Sequence, residues 1–329
     1  MKKIFVLILS LAVISQLFAA GASQSGGAQA GGAPAPKAEV FSLATAPLGG
    51  TYYIVGAGLG EAITQKVGHL TVNAIISQGS TANPRMLDAK EAELGITNYF
   101  SAWNAISGNA PFNKKIPIAG ICPLQYSTLH IMVMGNRNDI NTLADLKGKK
   151  VNLGPAGSGG ALFFRDMLHA WGLAESDFNF SFLSFNEGTE ALRDGRVDCN
   201  IPNGAAPLET VSSLAAMSSV KLISLEAERM KVVNKNNPYY DMGVIPGGTY
   251  KGIDKDVHTG GIQDVLIVRQ DMDEQTAYLI TKAIYESLQD LRKVHPSLSN
   301  MKFDGYNNSL VPLHPGAMRF YKEKNIPIQ

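Results

Sequence analysis

Val40-Phe-Ser-Leu-Ala-Thr-Ala-Pro-Leu-Gly-Gly-Thr-Tyr-Tyr53 sets a strand-like apolar run ahead of a Gly-rich loop, and a helical pattern then continues to Lys66. A near copy follows in Val151-Asn-Leu-Gly-Pro-Ala-Gly-Ser-Gly-Gly-Ala-Leu-Phe163, with Gly49, Gly50 and Tyr53 aligning on Gly159, Gly160 and Phe163. Further on, Leu87-Asp-Ala-Lys-Glu-Ala-Glu-Leu-Gly-Ile96 matches Leu192-Arg-Asp-Gly-Arg-Val-Asp-Cys-Asn-Ile201. Each reads as a helix end, a turn and a short strand; Gly195 supplies a left-handed cap, and Lys90 takes the same place at a steric cost. The repeat implies two lobes of one plan. Their strand-loop-helix alternation predicts an α/β protein whose sheets are mainly parallel, with helices on both faces.

Elements outside the repeat fit that scheme. Thr142-Leu-Ala-Asp145 is a capping box opening a short helix that Gly148 ends before a strand from Lys150 to Leu153. Ala277, Ile280, Ile284, Leu288 and Leu291 recur at helical spacing and predict one helix from Asp273 to Val294, stopped by Pro296. The stretch from residue 38 to residue 329 is longer than one hydrophobic core usually serves. We divide it into a first lobe of residues 38–125 with 240–329 and a second of residues 126–239.

The N-terminus carries its own signal. Met1, Lys2 and Lys3 precede an apolar run from Ile4 to Phe18 and the small residues Ala19, Ala20, Gly21 and Ala22. That is the layout of a secretory signal peptide, residues 1–20, cleaved after Ala20 or Ala22, and it predicts a periplasmic protein. No cysteine near the cut encodes a lipid anchor. Residues 21–37, rich in Gly, Ala, Ser and Pro, hold nothing large enough to bury and read as a flexible tether. Cys122 and Cys199 are too few for a metal knuckle; whether they form a disulfide cannot be read from spacing. With 29 basic and 28 acidic side chains the net charge is +1, which gives no electrostatic footprint for nucleic acid.

Three loops share one context, after a strand and before a helix: Gly49-Gly-Thr51, Gln78-Gly-Ser-Thr-Ala-Asn83 and Gly157-Ser-Gly-Gly160. In open α/β sheets ligands bind at the carboxyl ends of the strands, where helix N-termini offer free N–H groups to an anion. Any one such loop is more often a tight turn, but three together favour a binding site. Catalytic patterns fail in turn. Gly157-Ser-Gly-Gly lacks the Lys and Ser/Thr of a phosphate loop, and Gly56-Ala-Gly-Leu-Gly60 has Glu61 where a dinucleotide fingerprint needs glycine. No serine sits in a Gly-x-Ser-x-Gly elbow, and the six histidines show no i, i+4 metal pairing. The reading is therefore a binding protein, not an enzyme, with no cofactor.

Gly49-Gly-Thr-Tyr-Tyr53, Gly79-Ser80 with Asn83 and Arg85, Asp145-Leu-Lys-Gly-Lys-Lys-Val151, Gly154-Pro-Ala-Gly-Ser-Gly159 and Pro312-Leu-His-Pro-Gly-Ala-Met-Arg-Phe-Tyr321 together resemble the TAXI family of solute receptors, which serve tripartite ATP-independent (TRAP) transporters. The resemblance runs from about Val40 to Ile326. It implies a type II-like periplasmic binding protein, two lobes closing on a small carboxylate such as glutamate or 2-oxoglutarate, with TRAP permease subunits as partners. Carried over by position, Gly50, Thr51 and Tyr52 form the first ligand loop, Ser80 and Asn83 the second, Gly157, Ser158 and Gly159 the third. Asn203 and Gly204 fall on the other lobe's rim, and Tyr126, with Tyr52, is a candidate wall. Asn98 and Phe100 stand where the family often has Gln and Asp, and Ala82 where Glu is common, so a smaller or less polar acid is implied. A receptor for an ATP-driven (ABC) importer or a chemosensor is the alternative; a lyase or transferase on the same fold is the remote one.

Overall fold

The structure, a computed structural model, is described for residues 37–329; the signal segment and all but the last residue of the tether lie outside the described residues. The strands in chain order are β1 (Glu39–Ala44), β2 (Leu70–Ile75), β3 (Leu94–Asn98), β4 (Ile118–Leu129), β5 (Met132–Met134) and β6 (Lys150–Asn152). They continue as β7 (Asn179–Ser181), β8 (Cys199–Asn200), β9 (Asn203–Gly204), β10 (Val220–Leu222), β11 (Asp241–Ile245) and β12 (Val257–Arg269). One sheet runs β2-β1-β3-β12-β4-β9 with β11 on β12, and the other runs β10-β5-β8-β6-β7.

Each lobe is built on the repeat read from the sequence. The trio β2-β1-β3 is parallel, and so is β7-β6-β8. The long strand β12 is antiparallel to β3, β4 and β11, and β5 is antiparallel to its neighbours. The sheets are thus parallel where strand-loop-helix units repeat and antiparallel elsewhere, where the chain passes between lobes. Lys90 and Gly195 both adopt left-handed backbone, at φ of 59° and 71°, at the matching turns.

Buried side chains divide between a first core and two adjoining clusters of the second lobe. Within β4 the change of core falls between Leu124 and Leu129, and within β12 between Ile262 and Val265. The sequence division placed the return near residue 240, but Tyr240 packs in the second core. Its ring stacks on Phe163 at 3.8 Å, and its hydroxyl donates to Asp166 at 3.0 Å. Cys122 lies in the first core and Cys199 in the second, both free and fully buried. Burial pushes both thiols well above their ordinary pKa.

The predicted long C-terminal helix is two, Glu274–Glu286 and Leu288–Val294. Ser287 breaks it at φ −98°, ψ 6°, with its N–H shared between the Ala283 and Ile284 carbonyls. Ala277, Ile280, Ile284 and Leu291 are buried as the stripe requires. Thr142 and Asp145 form their capping box over a short 3₁₀ turn. His295 and His314 each cap the helical segment that a following proline opens.

Phe163 tests the second core. Phe163→Ala removes a fully buried ring and its stacking on Tyr240, so chemical denaturation should show a loss of about 3–5 kcal/mol.

Candidate functional site

The helices Thr51–Lys66 and Gly159–Met167 begin at one cleft, together with the loop of residues 78–83. Several glycines there serve approach rather than turning. Gly50, Gly157 and Gly159 have no left-handed φ, yet a Cβ on any of them would strike a group across the cleft. On Gly50 it would stand 2.9 Å from the Phe185 ring, and on Gly157 2.8 Å from Gln78 Cβ. On Gly159 it would run into the Asn98 amide and come within 2.9 Å of Ser80 Cβ. The lobes also bond directly: Thr81 N–H and Oγ1 donate to Gly157 O at 3.0 and 2.8 Å, and Thr51 Oγ1 donates to Ala205 O at 3.1 Å.

The cavity they enclose is about 20 Å³, room for roughly one water, so a larger guest requires the lobes to part. Gly50, Thr51, Tyr52, Ser80, Ser158, Gly159 and Asn203 of the predicted set line it. Gly157, Asn98 and Gly204 stand just behind: Asn98 caps the helix Tyr99–Ser107 and reaches the Gly159 position, and Gly204 abuts Thr51. Two do not reach it. Asn83 is fully buried, its Nδ2 donating to the carbonyls of Ala44, Thr45 and Ile96 and its Oδ1 accepting from Ser77, so it ties β1 to β3. Tyr126 packs over Gly243 and Gly261 and is 37 % exposed. The wall also holds Gln78, the first residue of the second candidate loop, and Phe185, which the sequence reading did not single out; the Ser184-x-x-Glu187 capping box that starts the helix Phe185–Arg193 was the signal for the latter.

Among the described residues no Lys, Arg or His lines the cavity, whose polar groups are backbone and the neutral side chains of Gln78, Ser80, Ser158 and Asn203. The N–H groups of Thr51, Tyr52, Ser80 and Gly159 find no partner among the described residues, although all four residues are buried. Buried backbone donors are almost always paired, so four unpaired ones around one cavity, beside the unpaired acceptor Asn203 Oδ1, mark it as a place for a polar guest. Two of them open helices of 16 and 9 residues, whose dipoles add positive potential. Ser158 Oγ is already engaged, accepting from Ala161 N at 3.1 Å as the helix cap.

Behind the wall lies a group the sequence reading passed over. Asp264 is fully buried, with Oδ1 2.5 Å from Tyr52 Oη and Oδ2 2.5 Å from Ser127 Oγ; Tyr52 Oη is 3.0 Å from Ser80 Oγ. Burial raises Asp264 from 3.8 to about 8, against the lowering effect of the Ser127, Tyr52 and Gln125 side chains. Tyr52 is held well above its ordinary value by burial and then by the Asp264 charge. The signal was a lone carboxyl inside the apolar run of β12. Among the described residues no group of three His, Cys, Asp or Glu is placed to hold a metal ion, and no helix is long and apolar enough to cross a membrane.

Two α/β lobes joined by long strands, with a cleft at facing helix N-termini, constitute the type II-like periplasmic binding protein fold. The alkanesulfonate-binding protein SsuA of Xanthomonas axonopodis pv. citri, bound to MOPS, superposes with TM-score 0.50 at 13% identity, covering 89% of this chain and 95% of that one. A protein of Bordetella bronchiseptica RB50 gives 0.53 at 16% identity, with 85% and 82% covered. A provisionally named L-cystine ABC transporter protein of Listeria monocytogenes gives 0.50 at 13%, with 78% and 94% covered. Residues 43–324 match the NMT1-like family, and the chain belongs to that family.

Two outcomes follow from this geometry. Because Asp264 is protonated in the fold up to about pH 8 but ionises near 3.8 when unfolded, folding loses stability as pH rises between those values, by about 1.4 kcal/mol per unit. Asp264→Asn removes that slope, so its stability relative to wild type should climb from about pH 4 to about pH 8 and then level off; equal slopes in both proteins would contradict the assignment. Gly159→Ala should leave the melting temperature nearly unchanged, but the lobes should stay further apart in small-angle scattering.

Proposed function

We propose that the protein is an extracytoplasmic solute receptor whose lobes close on a small organic acid and present it to a membrane importer. The four unpaired N–H donors drawn from both lobes around one cavity carry this reading. Each hydrogen bond from such a donor to a charged oxygen contributes about 1.5–3 kcal/mol, and micromolar capture requires about 8 kcal/mol net. Three or four donors, with Phe185 as an apolar wall, are sufficient. A carboxylate or a sulfonate meets the demand, because each offers several oxygens to converging N–H groups. The acid is small or must enter a more open cleft, given the size of the shut cavity.

The importer is best read as an ABC type. The solved structures named above include an alkanesulfonate-binding protein and an ABC transporter component, and these names favour that class. The TRAP reading rests on the motif resemblance around Gly49–Tyr53, Gly154–Gly159 and Pro312–Tyr321. A membrane partner that co-purifies with an ATPase subunit supports the first; one driven by an ion gradient without an ATPase supports the second. Periplasmic placement follows from the N-terminal segment and is checked by the mass of the exported chain.

Native mass spectrometry of the purified protein should show a co-captured acid. Ser158→Asp places a fixed charge beside the donors while keeping an acceptor for Ala161 N–H, so the fold should survive. Like charges at contact cost on the order of 4 kcal/mol at an effective dielectric near 20, about a thousandfold in affinity. Calorimetric titration within tenfold of wild type would show that the anion is not received here.

A further inference from the structure

Asp264 touches nothing in the cavity, yet it ends a chain of hydroxyls that reaches the cavity wall. The order is Asp264 Oδ1, Tyr52 Oη, Ser80 Oγ, at 2.5 and 3.0 Å. We propose that Asp264 is a positioning residue for ligand capture: its proton fixes the direction of the Tyr52–Ser80 hydroxyl chain, so that Ser80 donates to the acid when Asp264 is protonated and turns its lone pairs outward when it is not. The proposal rests on the small-acid reading of the cavity.

The site of the Asp264 proton decides the direction, and the proposal places it on Oδ1. With Asp264 protonated on Oδ1, the carboxyl donates to Tyr52 Oη, Tyr52 donates to Ser80 Oγ, and the Ser80 hydrogen is free for the ligand. With Asp264 ionised, Tyr52 donates to the carboxylate and Ser80 donates to Tyr52, leaving only acceptors on Ser80 to face an anion. The Ser127 hydroxyl donates to the other carboxyl oxygen in both; a proton on Oδ2 donated to Ser127 instead would leave Oδ1 accepting from Tyr52 and turn the Ser80 hydrogen inward, as in the ionised form.

Among the described residues no charged side chain near Asp264 offers an alternative control. β3 contributes Asn98 and Thr97, both neutral, and β4 contributes Gln125, Tyr126 and Ser127. The helix Tyr99–Ser107 has no acidic or basic residue in its end turns, and the Tyr99 hydroxyl accepts from Asn307 N–H. Arg85, on the helix Asn83–Asp88, is committed to the carbonyls of Thr81 and Pro111. Asp241 on β11 bears on Tyr126 rather than on the carboxyl. The burial that raises Asp264 to about 8 therefore places the change of direction in the mildly alkaline range.

The test combines infrared spectroscopy without ligand and calorimetry with L-glutamate, 2-oxoglutarate and ethanesulfonate as probes. At neutral pH the wild type should show a protonated carboxyl band that Asp264→Asn removes; absence of that band overturns the proposal. The best-binding probe should hold its affinity up to about pH 8 and lose up to about tenfold per pH unit above it. Asp264→Asn, a permanent donor, should bind as tightly at about pH 10 as at about pH 6, and Ser80→Ala should be weaker and flat. A wild-type affinity that does not change over that range, or a fall that persists in Asp264→Asn, overturns the coupling. Failure of all three probes at every pH overturns the small-acid reading beneath it.

Discussion

The antiparallel pairing of β4 with β12 is the constraint on which the two lobes depend. The ladder runs from Gly261 opposite Thr128 to Arg269 opposite Ile118, and each strand feeds side chains into both lobes. A relative movement of the lobes must therefore twist this ribbon. The pairing slips between Gln263 and Val265, leaving Asp264 in the irregularity opposite Leu124 and Gln125. The extra residue lies on β4, where Leu124 and Gln125 face the single Asp264, while Asp264 keeps regular register with Asn98 on β3. Its carboxyl meets hydroxyls from the helix Thr51–Lys66 and from β4 itself. The connection between the lobes and the polar group nearest the cleft thus share one structural feature.

Much of the architecture was legible because it is written twice. The strand-loop-helix repeat, the paired turns at Lys90 and Gly195 and the three cleft loops follow from periodicity and glycine placement. The glycines at 157 and 159 adopt ordinary backbone angles, and their missing Cβ matters only against residues contributed by the other lobe. That partner is invisible in a linear reading. Tyr126 and Asn83 illustrate the converse. Both carry suitable chemistry at suitable positions, but strand pleat turns the Tyr126 ring over Gly243 and Gly261, and three carbonyls consume the Asn83 amide. Asp264 was hidden for a third reason: an isolated acid has no motif, and its meaning comes from the Tyr52 and Ser127 hydroxyls that the fold brings to it.

A cavity without Lys or Arg among the described residues fits the proposed capture and release of an acid. A buried guanidinium would bind an anion strongly, but its own desolvation would have to be compensated whenever the site is empty. Backbone N–H groups and helix dipoles are fixed by the fold and change nothing in net charge. Their strength comes from exclusion of water, so it disappears as the lobes separate. Affinity then becomes a property of the closed form rather than of either lobe.

Contacts across the cleft include the Thr81 and Thr51 bonds to the opposite lobe and the approach of His295 Nε2 to Pro207 O at 3.2 Å, each worth about 1 kcal/mol. In the proposed function an anion between the lobes adds acceptors for the four N–H donors. A ligand shifts a conformational equilibrium only by its differential affinity for the two forms. In this cleft that difference is the set of donors from Thr51, Tyr52, Ser80 and Gly159, which converge only when both lobes meet.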